Sequence, residues 1–413
     1  MRGWKGMRLA PYQTRMRIAL RSPPVVAWAA HLVLVLGTAA TTVALTPERD
    51  SQRPQFDGAA HYLVSPLAAW DGGWYVRIAR EGYGGQEASA AFWPFYPLLL
   101  SLGHVLTGLS YAACGVILSN AAFLAVLIVL FRLVRADHGL VIAARTVWLI
   151  ALWPLTFFFS AVYTESLFLL LIVGAIFLGR SERWTAATLV AAMAALTRNS
   201  GVLVILPLAI MLVQQQGWHP RTWWTRGIQL GAAVLAPLAF VRHLDRLWDD
   251  PLLTIHVLPK WGRFRSTPWE TLHAAYDRTH HIYATGRHSC DLRLDADAFE
   301  TCGAALEISR NTFSDDLSFA FVLGCLVLLP YAILRLLPRD SLYFVVGLAL
   351  PLFNQATYDP LLSMARYVIV LYPLYIALAH LLRWRPLFIA TIIGSTIALV
   401  GFLTMFAQRY FVA

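Results

Sequence analysis

Residues 66–97 read PLAAWDGGWYVRIAREGYGGQEASAAFWPFYP, the one long polar, aromatic and glycine-rich stretch in an otherwise apolar N-terminal half. Asp71 stands between Trp70 and a Gly-Gly pair. Trp70, Trp74 and Ile78 are four apart, with Tyr75 beside them, so the spacing predicts a short helix with these residues on one face. Gly82 stops it, in the role glycine fills well beyond a helix end. A loop and an aromatic run with two prolines follow, Phe92 to Pro97. A short amphipathic helix this rich in aromatics, flanked by membrane spans, is expected to lie in the bilayer interface, with Asp71 at its start near the surface.

The surrounding composition sets that context. Of 413 residues, 58% are hydrophobic and 14% charged, where a soluble domain carries about 25% charged residues. Mean hydropathy is +0.59. This is the composition of a polytopic, all-α integral membrane protein. The net charge of +10 then reflects arginines retained on one side of the membrane. Nucleic-acid binding is excluded as a class, because no basic, aromatic-interleaved soluble domain exists to hold it. Arg2, Lys5, Arg8, Arg15, Arg17 and Arg21 precede the first apolar run. That run, 25–45, is long for a signal peptide and lacks a clear small-x-small cleavage site, so it is expected as a retained span.

Apolar runs of membrane-spanning length predict about eleven spans: 25–45, 113–134, 146–160, 166–179, 184–196, 201–213, 227–241, 317–334, 341–356, 367–382 and 386–406. The chain is one transmembrane domain, 1–413, with two long hydrophilic segments, 46–112 and 242–316. Arginines cluster after the second, fourth, sixth, eighth and tenth spans (Arg132 and Arg135, Arg180 and Arg183, Arg221 and Arg226, Arg335 and Arg339, Arg383 and Arg385), which places those loops in the cytoplasm. The other side then holds Asp71, Glu165, Arg198, the 242–316 loop and Arg366. The unusual polar features therefore share the extracytoplasmic face.

Each feature has a structural and a functional reading. Asp71 is an N-cap or a general base for a hydroxyl nucleophile. Two glycines in the following turn cost roughly 1 kcal/mol each in a helix, which favours a ligand approaching the backbone closely. Tyr163, Thr164 and Glu165 open a span, as a Thr164 cap with Glu165 favoured by the helix dipole, or with Glu165 orienting a substrate hydroxyl or a catalytic partner. Arg198, in Thr197-Arg198-Asn199-Ser200-Gly201, snorkels to water or forks onto a lipid phosphate. Arg366, next to Tyr367, has the same two readings. Lys260, Trp261, Arg263 and Arg265 form a basic aromatic cluster facing headgroups or substrate. His280-His281 is expected in a loop. Cys114 and Cys325 fall in apolar runs as buried thiols. Cys290 and Cys302 lie in the 242–316 loop, where a disulfide is plausible on an oxidising face. No Cys/His metal spacing is present.

WDGGWYVRIAREGY followed by AFWPFYPLL resembles the PIG-V-like family, the second mannosyltransferase of GPI-anchor assembly and its bacterial relatives. The matching positions are Trp70-Asp71, Ile78-Ala79, Gly82-Tyr83 and Trp93-Pro94-Phe95-Tyr96-Pro97. Further blocks are Ala161 to Phe168, Thr197 to Gly201, and Ala365-Arg366-Tyr367 before Pro373, in the family's order. The resemblance implies a GT-C fold with a catalytic Asp in the first extracytoplasmic loop, here Asp71 within 46–112, with Glu165 its companion. It implies a polyprenyl-phosphate sugar donor, typically mannose, inversion at the anomeric carbon, and a lipid, glycan or protein acceptor. Asp71 would deprotonate the acceptor hydroxyl. Arg198, Arg366 or the Lys260–Arg265 cluster would neutralise the phosphate, with Trp70, Trp74, Tyr75, Tyr163, Asn199 and Tyr367 around the substrates. No cofactor is implied, and divalent-metal dependence is left open. The composition looks like a bacterial member, placing it in a plasma membrane with its site outside. The alternative is a lipid-linked-saccharide transporter, which calls for mid-span polar residues and repeat symmetry; here polar residues gather at span ends. A non-catalytic partner of another transferase is a third class, against which the intact Asp71 block argues.

Overall fold

The computed structural model describes residues 22–46, 58–217, 219–286, 296–357, 359–410 and 412. The helices are α1 (Pro23–Leu45), α2 (Asp71–Glu81), α3 (Phe95–Thr107), α4 (Tyr111–His138), α5 (Leu140–Ala151), α6 (Glu165–Arg180), α7 (Trp184–Thr197), α8 (Ile205–Gln216), α9 (Leu235–Trp248), α10 (Pro268–Gly286), α11 (Ala296–Arg335), α12 (Pro338–Leu352), α13 (Met364–Ile369), α14 (Tyr372–Leu381) and α15 (Arg385–Ala407), with short turns between. Helix α6 is the centre of the bundle. It packs between α4 and α7, while α1 and α15 lie together beside α4 and α5, and α8, α11 and α12 close the other side. Its composition explains its position: apolar residues on every face between Leu167 and Ile176 are buried, as befits a helix surrounded by others.

Six stretches among the described residues are long and apolar enough to cross a membrane: Pro23–Leu45, Tyr111–His138, Asn199–Gln216, Trp224–Trp248, Asp316–Arg335 and Arg385–Ala407. The chain is a multi-pass membrane protein. The other five expected spans are shorter helices, and their limits have local causes. The third ends at Ala151, because Pro154 cannot continue a helix. The carbonyls freed there are taken up locally: the Ala151 oxygen lies 2.7 Å from His31 Nδ1 and 3.2 Å from the Thr156 hydroxyl that donates to it. The tenth breaks at Val370 and Leu371, ahead of Pro373, into α13 and α14.

Three features differ from the sequence expectations. The run Phe95–Thr107 is an apolar helix, not a loop, inside the 46–112 segment. The 242–316 segment is largely helical, and its end runs into the eighth span as the single 40-residue helix α11; His280 and His281 accordingly lie in α10. The architecture is helical as expected, with one small ribbon added. Strand β1 (Arg263–Arg265) pairs antiparallel with β2 (Asn354–Ala356), Phe264 opposite Gln355. Cys114 and Cys325 are buried free thiols; the Cys290–Cys302 pairing falls outside the described residues.

The 16 residues of α6 rise about 24 Å, so Glu165 and Arg180 mark opposite ends. At the Arg180 end, Asp137 accepts from Arg180 at 2.7 Å and from Arg339. Asp340, 1% exposed, accepts from Tyr372 and is approached by Arg339 Nε at 3.4 Å. This network ties α4, α6, α12 and α14 together. Tyr372→Phe removes a hydrogen bond to the buried Asp340 carboxylate, so unfolding in detergent should show a loss of about 1–3 kcal/mol; an unchanged midpoint would show that the network does not hold these helix ends.

Candidate active site

Four charged side chains from distant parts of the chain meet at the Glu165 end. The Arg366 guanidinium donates from Nη1 to Asp71 Oδ2 at 2.7 Å, and from Nε and Nη2 to Glu165 Oε1 at 3.1 and 3.0 Å. Arg198 Nη1 lies 3.4 Å from the same Glu165 oxygen. Arg366 is 5.1 Å from the Phe158 ring centre and 4.6 Å from that of Tyr163. Arg198 sits over Phe168 at 5.5 Å and Tyr367 at 5.0 Å. Two carboxylates and two guanidiniums thus share an aromatic cage, where cation–ring contacts and low dielectric strengthen each pairing.

Local backbone features hold each member. Asp71 is the first residue of α2; the N-cap position before it is Trp70, which makes no side-chain cap bond and has a positive φ of 55°. That conformation is unusual for a bulky residue and is a form of strain found at functional sites. The turn is pinned from α6's side: Val162 N–H donates to Leu67 O at 2.9 Å, and the Tyr163 hydroxyl to Ala69 O at 3.0 Å. Gly72 permits this approach, since a Cβ there would lie 3.3 Å from Val162 O. Thr164 stands at the N-cap position of α6 but makes no side-chain cap bond, and Glu165 begins the helix facing inward. Arg198 follows the end of α7, where Gly201 folds the chain back; a Cβ on Gly201 would fall 2.1 Å from Ala194 O. Arg366 is carried by α13 after Ser363, itself at φ 65°.

Exposure separates the two acids. Glu165 is 0% exposed and Asp71 29%, while Arg366 is 6% and Arg198 12% exposed. Asp71 is therefore the carboxylate a substrate can reach. Glu165 Oε2 and Arg198 Nη1 are buried and make no hydrogen bond among the described residues. Burial, with Glu165 and Asp71 adding to it, pushes the Tyr75 phenol above its ordinary value, so it stays a neutral donor.

Of the residues singled out from sequence, Asp71, Tyr163, Glu165, Arg198, Arg366 and Tyr367 come together, with the Tyr75 phenol close enough to feel Glu165, Asp71 and Arg198. The others are placed differently. Trp70 is half exposed and precedes α2, off the face that buries Tyr75 and Ile78. Trp74 stacks on Phe92 at 5.6 Å and meets Trp261 edge-on at 5.2 Å, contacts that fasten α2 to the segments around it, and Tyr75 packs on Tyr96 of α3. Asn199 is exposed and accepts from Ser200 N–H at 2.7 Å. Lys260 pairs with Glu87. Arg263 donates to Leu362 O at 3.1 Å, so the β ribbon braces the loop that leads to Arg366. The ring of Phe158 was missed; nothing in the apolar run 157–159 marks one phenylalanine from the next. A groove of about 490 Å³ runs beside α2, lined by Ile78, Ala79, Leu98, Leu196, Ala239 and Phe240 among others.

Residues 25–221 match the family described as Mannosyltransferase (PIG-V). The matched segment is 197 of the 413 residues, just under half of the chain. It contains Asp71, Glu165 and Arg198, whereas Arg366 reaches the family segment from outside its matched limits. No curated protein matches the chain. Two solved structures of the Archaeoglobus fulgidus oligosaccharyltransferase, one with zinc and sulfate and one in the apo form, align at 13% identity and a TM-score of 0.39. The alignments cover 78% and 92% of this chain, and it spans 44% and 56% of theirs.

Charges buried together should be coupled. Glu165→Gln or Arg366→Met alone leaves an uncompensated buried charge, at a cost of about 3–5 kcal/mol. The double variant should cost clearly less than the sum of the two singles, by unfolding in detergent; additive losses would mean that the pair is not coupled in the membrane.

Proposed function

We propose that this chain transfers a sugar, mannose by family, from a polyprenyl-phosphate donor to a hydroxyl on a lipid, glycan or protein acceptor, through a GT-C architecture. The observation that carries the reading is the half-open Asp71 carboxylate beside a buried Arg–Glu–Arg cluster, within a mannosyltransferase-family segment. Asp71 acts as general base: it takes the acceptor's proton as the oxygen attacks the anomeric carbon from the side opposite the phosphate, which inverts the centre. Arg198 is the better placed of the cations to receive the phosphate. Its Nη1 lies 3.4 Å from Glu165 Oε1 without a hydrogen bond among the described residues, and a buried donor of that kind gains most from a better-placed anionic partner. Lys260 is paired and Arg263 is committed to Leu362 O. Glu165 holds both guanidiniums in place. The apolar groove beside α2 suits the donor's prenyl chain, since Leu196 on its wall is two residues from Arg198.

The reaction needs an assay with the natural class of donor. Membranes carrying the protein, given labelled polyprenyl-phosphate-mannose, should yield labelled product, and Asp71→Asn should lower turnover by about 10²–10⁴-fold, the usual contribution of a positioned base. Near-normal turnover in that variant would remove Asp71 as the base.

The site is proposed to face the outside of a bacterial plasma membrane. Supporting this, the arginine pair Arg180 and Arg339 gathers at the end of the bundle away from Glu165, as retained positive charge requires. Reporter fusions at Arg183 and at Asp277 should then read opposite sides of the membrane; the same side for both would refute the orientation.

A further inference from the structure

We propose that Arg366 is a positioning residue shared between Asp71 and the donor's phosphate, so that proton uptake by Asp71 hands its positive charge to the leaving group. The inference rests on the transferase reading above and concerns how the base and the leaving group are coupled.

The geometry gives Arg366 one fixed edge and one exchangeable edge. Its Nε and Nη2 both donate to Glu165 Oε1, a carboxylate with no exposure. Rings on two sides, Tyr163 at 4.6 Å and Phe158 at 5.1 Å, limit its tilt. Only Nη1 reaches the exposed rim, and there its partner is Asp71. A guanidinium has five N–H donors in a rigid fork; three are used here, and a further N–H remains on Nη1. The guanidinium can therefore change partner at that edge without moving from its cage.

While Asp71 is charged it holds Nη1 at 2.7 Å, so a phosphate arriving at that edge meets a donor already engaged. The transfer itself releases it. The acceptor oxygen forms a bond to the anomeric carbon as its proton passes to Asp71. The bond from that carbon to the phosphate oxygen breaks, and its electron pair stays on the phosphate. A phosphodiester with one negative charge becomes a phosphomonoester with two, while Asp71 goes from one negative charge to none. Total charge is conserved, but it moves from Asp71 to the phosphate. Arg366 stands at the Asp71 end of that shift, with Arg198 Nη1, 3.4 Å from the same Glu165 oxygen, as the second cation. As Asp71 is neutralised, its hold on Nη1 weakens and the phosphate gains it. The two guanidiniums and Glu165 then leave a net single positive charge facing the dianion.

The competition is measurable without turnover. If Asp71 and phosphate compete for Nη1, removing the Asp71 charge should tighten a phosphate, not loosen it. The full-length protein in lipid nanodiscs is titrated with a prenyl monophosphate and with the uncharged prenyl alcohol of the same length. Asp71→Asn and Asp71→Ala should each bind the monophosphate at least about tenfold tighter than wild type, since a unit charge a few ångströms away has an effect of that order near water and a larger one in a partly buried site. The alcohol should bind all forms alike. Adding Arg366→Gln to Asp71→Asn should abolish the gain. If the wild type binds the monophosphate and both Asp71 variants bind it equally or more weakly, sharing is overturned and the transferase reading stands. If no form, wild type included, binds the monophosphate better than the alcohol, the transferase reading falls and this inference with it.

Discussion

A carboxylate with no exposure cannot remain charged in a membrane protein's interior without cations brought to it, and Glu165 is such a group. Its compensation comes from far away: Arg366 is 201 residues later in the chain, and Arg198 follows the next helix. Taking ions from water costs several kcal/mol each unless their geometry is good and their remaining donors are satisfied. Much of the surrounding construction serves that condition. Gly201 turns the chain so that Arg198 points back at α6, the β ribbon holds the loop before α13, and Phe158, Tyr163, Phe168 and Tyr367 wall the guanidiniums from lipid. The Asp71 turn is then fastened to the start of the same helix through Val162 and Tyr163. Site and fold are in this sense one assembly, with α6 as its axis.

Much of this was legible in the sequence, for a physical reason. Charge is rare in such a chain, so Asp71, Glu165, Arg198 and Arg366 stand out at the ends of apolar runs, and alternating arginine clusters put them on one side. Their pairing was not legible. Separations of 201 and 295 residues leave no periodic trace, and an arginine at a span end looks the same whether it snorkels or bonds a buried acid. Trp74 shows the opposite failure. An aromatic beside an acid resembles a sugar platform, but its ring is spent on Phe92 and Trp261. Lys260 likewise resembled a phosphate ligand until Glu87, remote in sequence, was found across from it. The helix Phe95–Thr107 and the ribbon escaped because a short apolar run and three-residue strands fall below what patterning resolves.

The two ends of the bundle use buried charge differently. Around Asp137, Asp340, Arg180 and Arg339 the ions largely satisfy one another, with Tyr372 completing the set, and no acid there is as open as Asp71. At the other end the balance is equal in sign but incomplete in bonding: Glu165 Oε2 and Arg198 Nη1 make no hydrogen bond among the described residues, and Asp71 is partly open. Completed networks rigidify, whereas an open acid beside an underused cation is poised for a ligand that brings a hydroxyl and a negative charge. A prenyl-phosphate sugar and its acceptor supply both.

The most direct test of that account is a structure of the full chain with a non-transferable prenyl-phosphosugar analogue bound. The account predicts the phosphate against the Arg198 guanidinium, the sugar's anomeric carbon between it and Asp71, and the prenyl chain along the groove beside α2. A phosphate held instead at the Lys260–Arg265 ribbon, with Asp71 and Arg366 remote from the sugar, would contradict it.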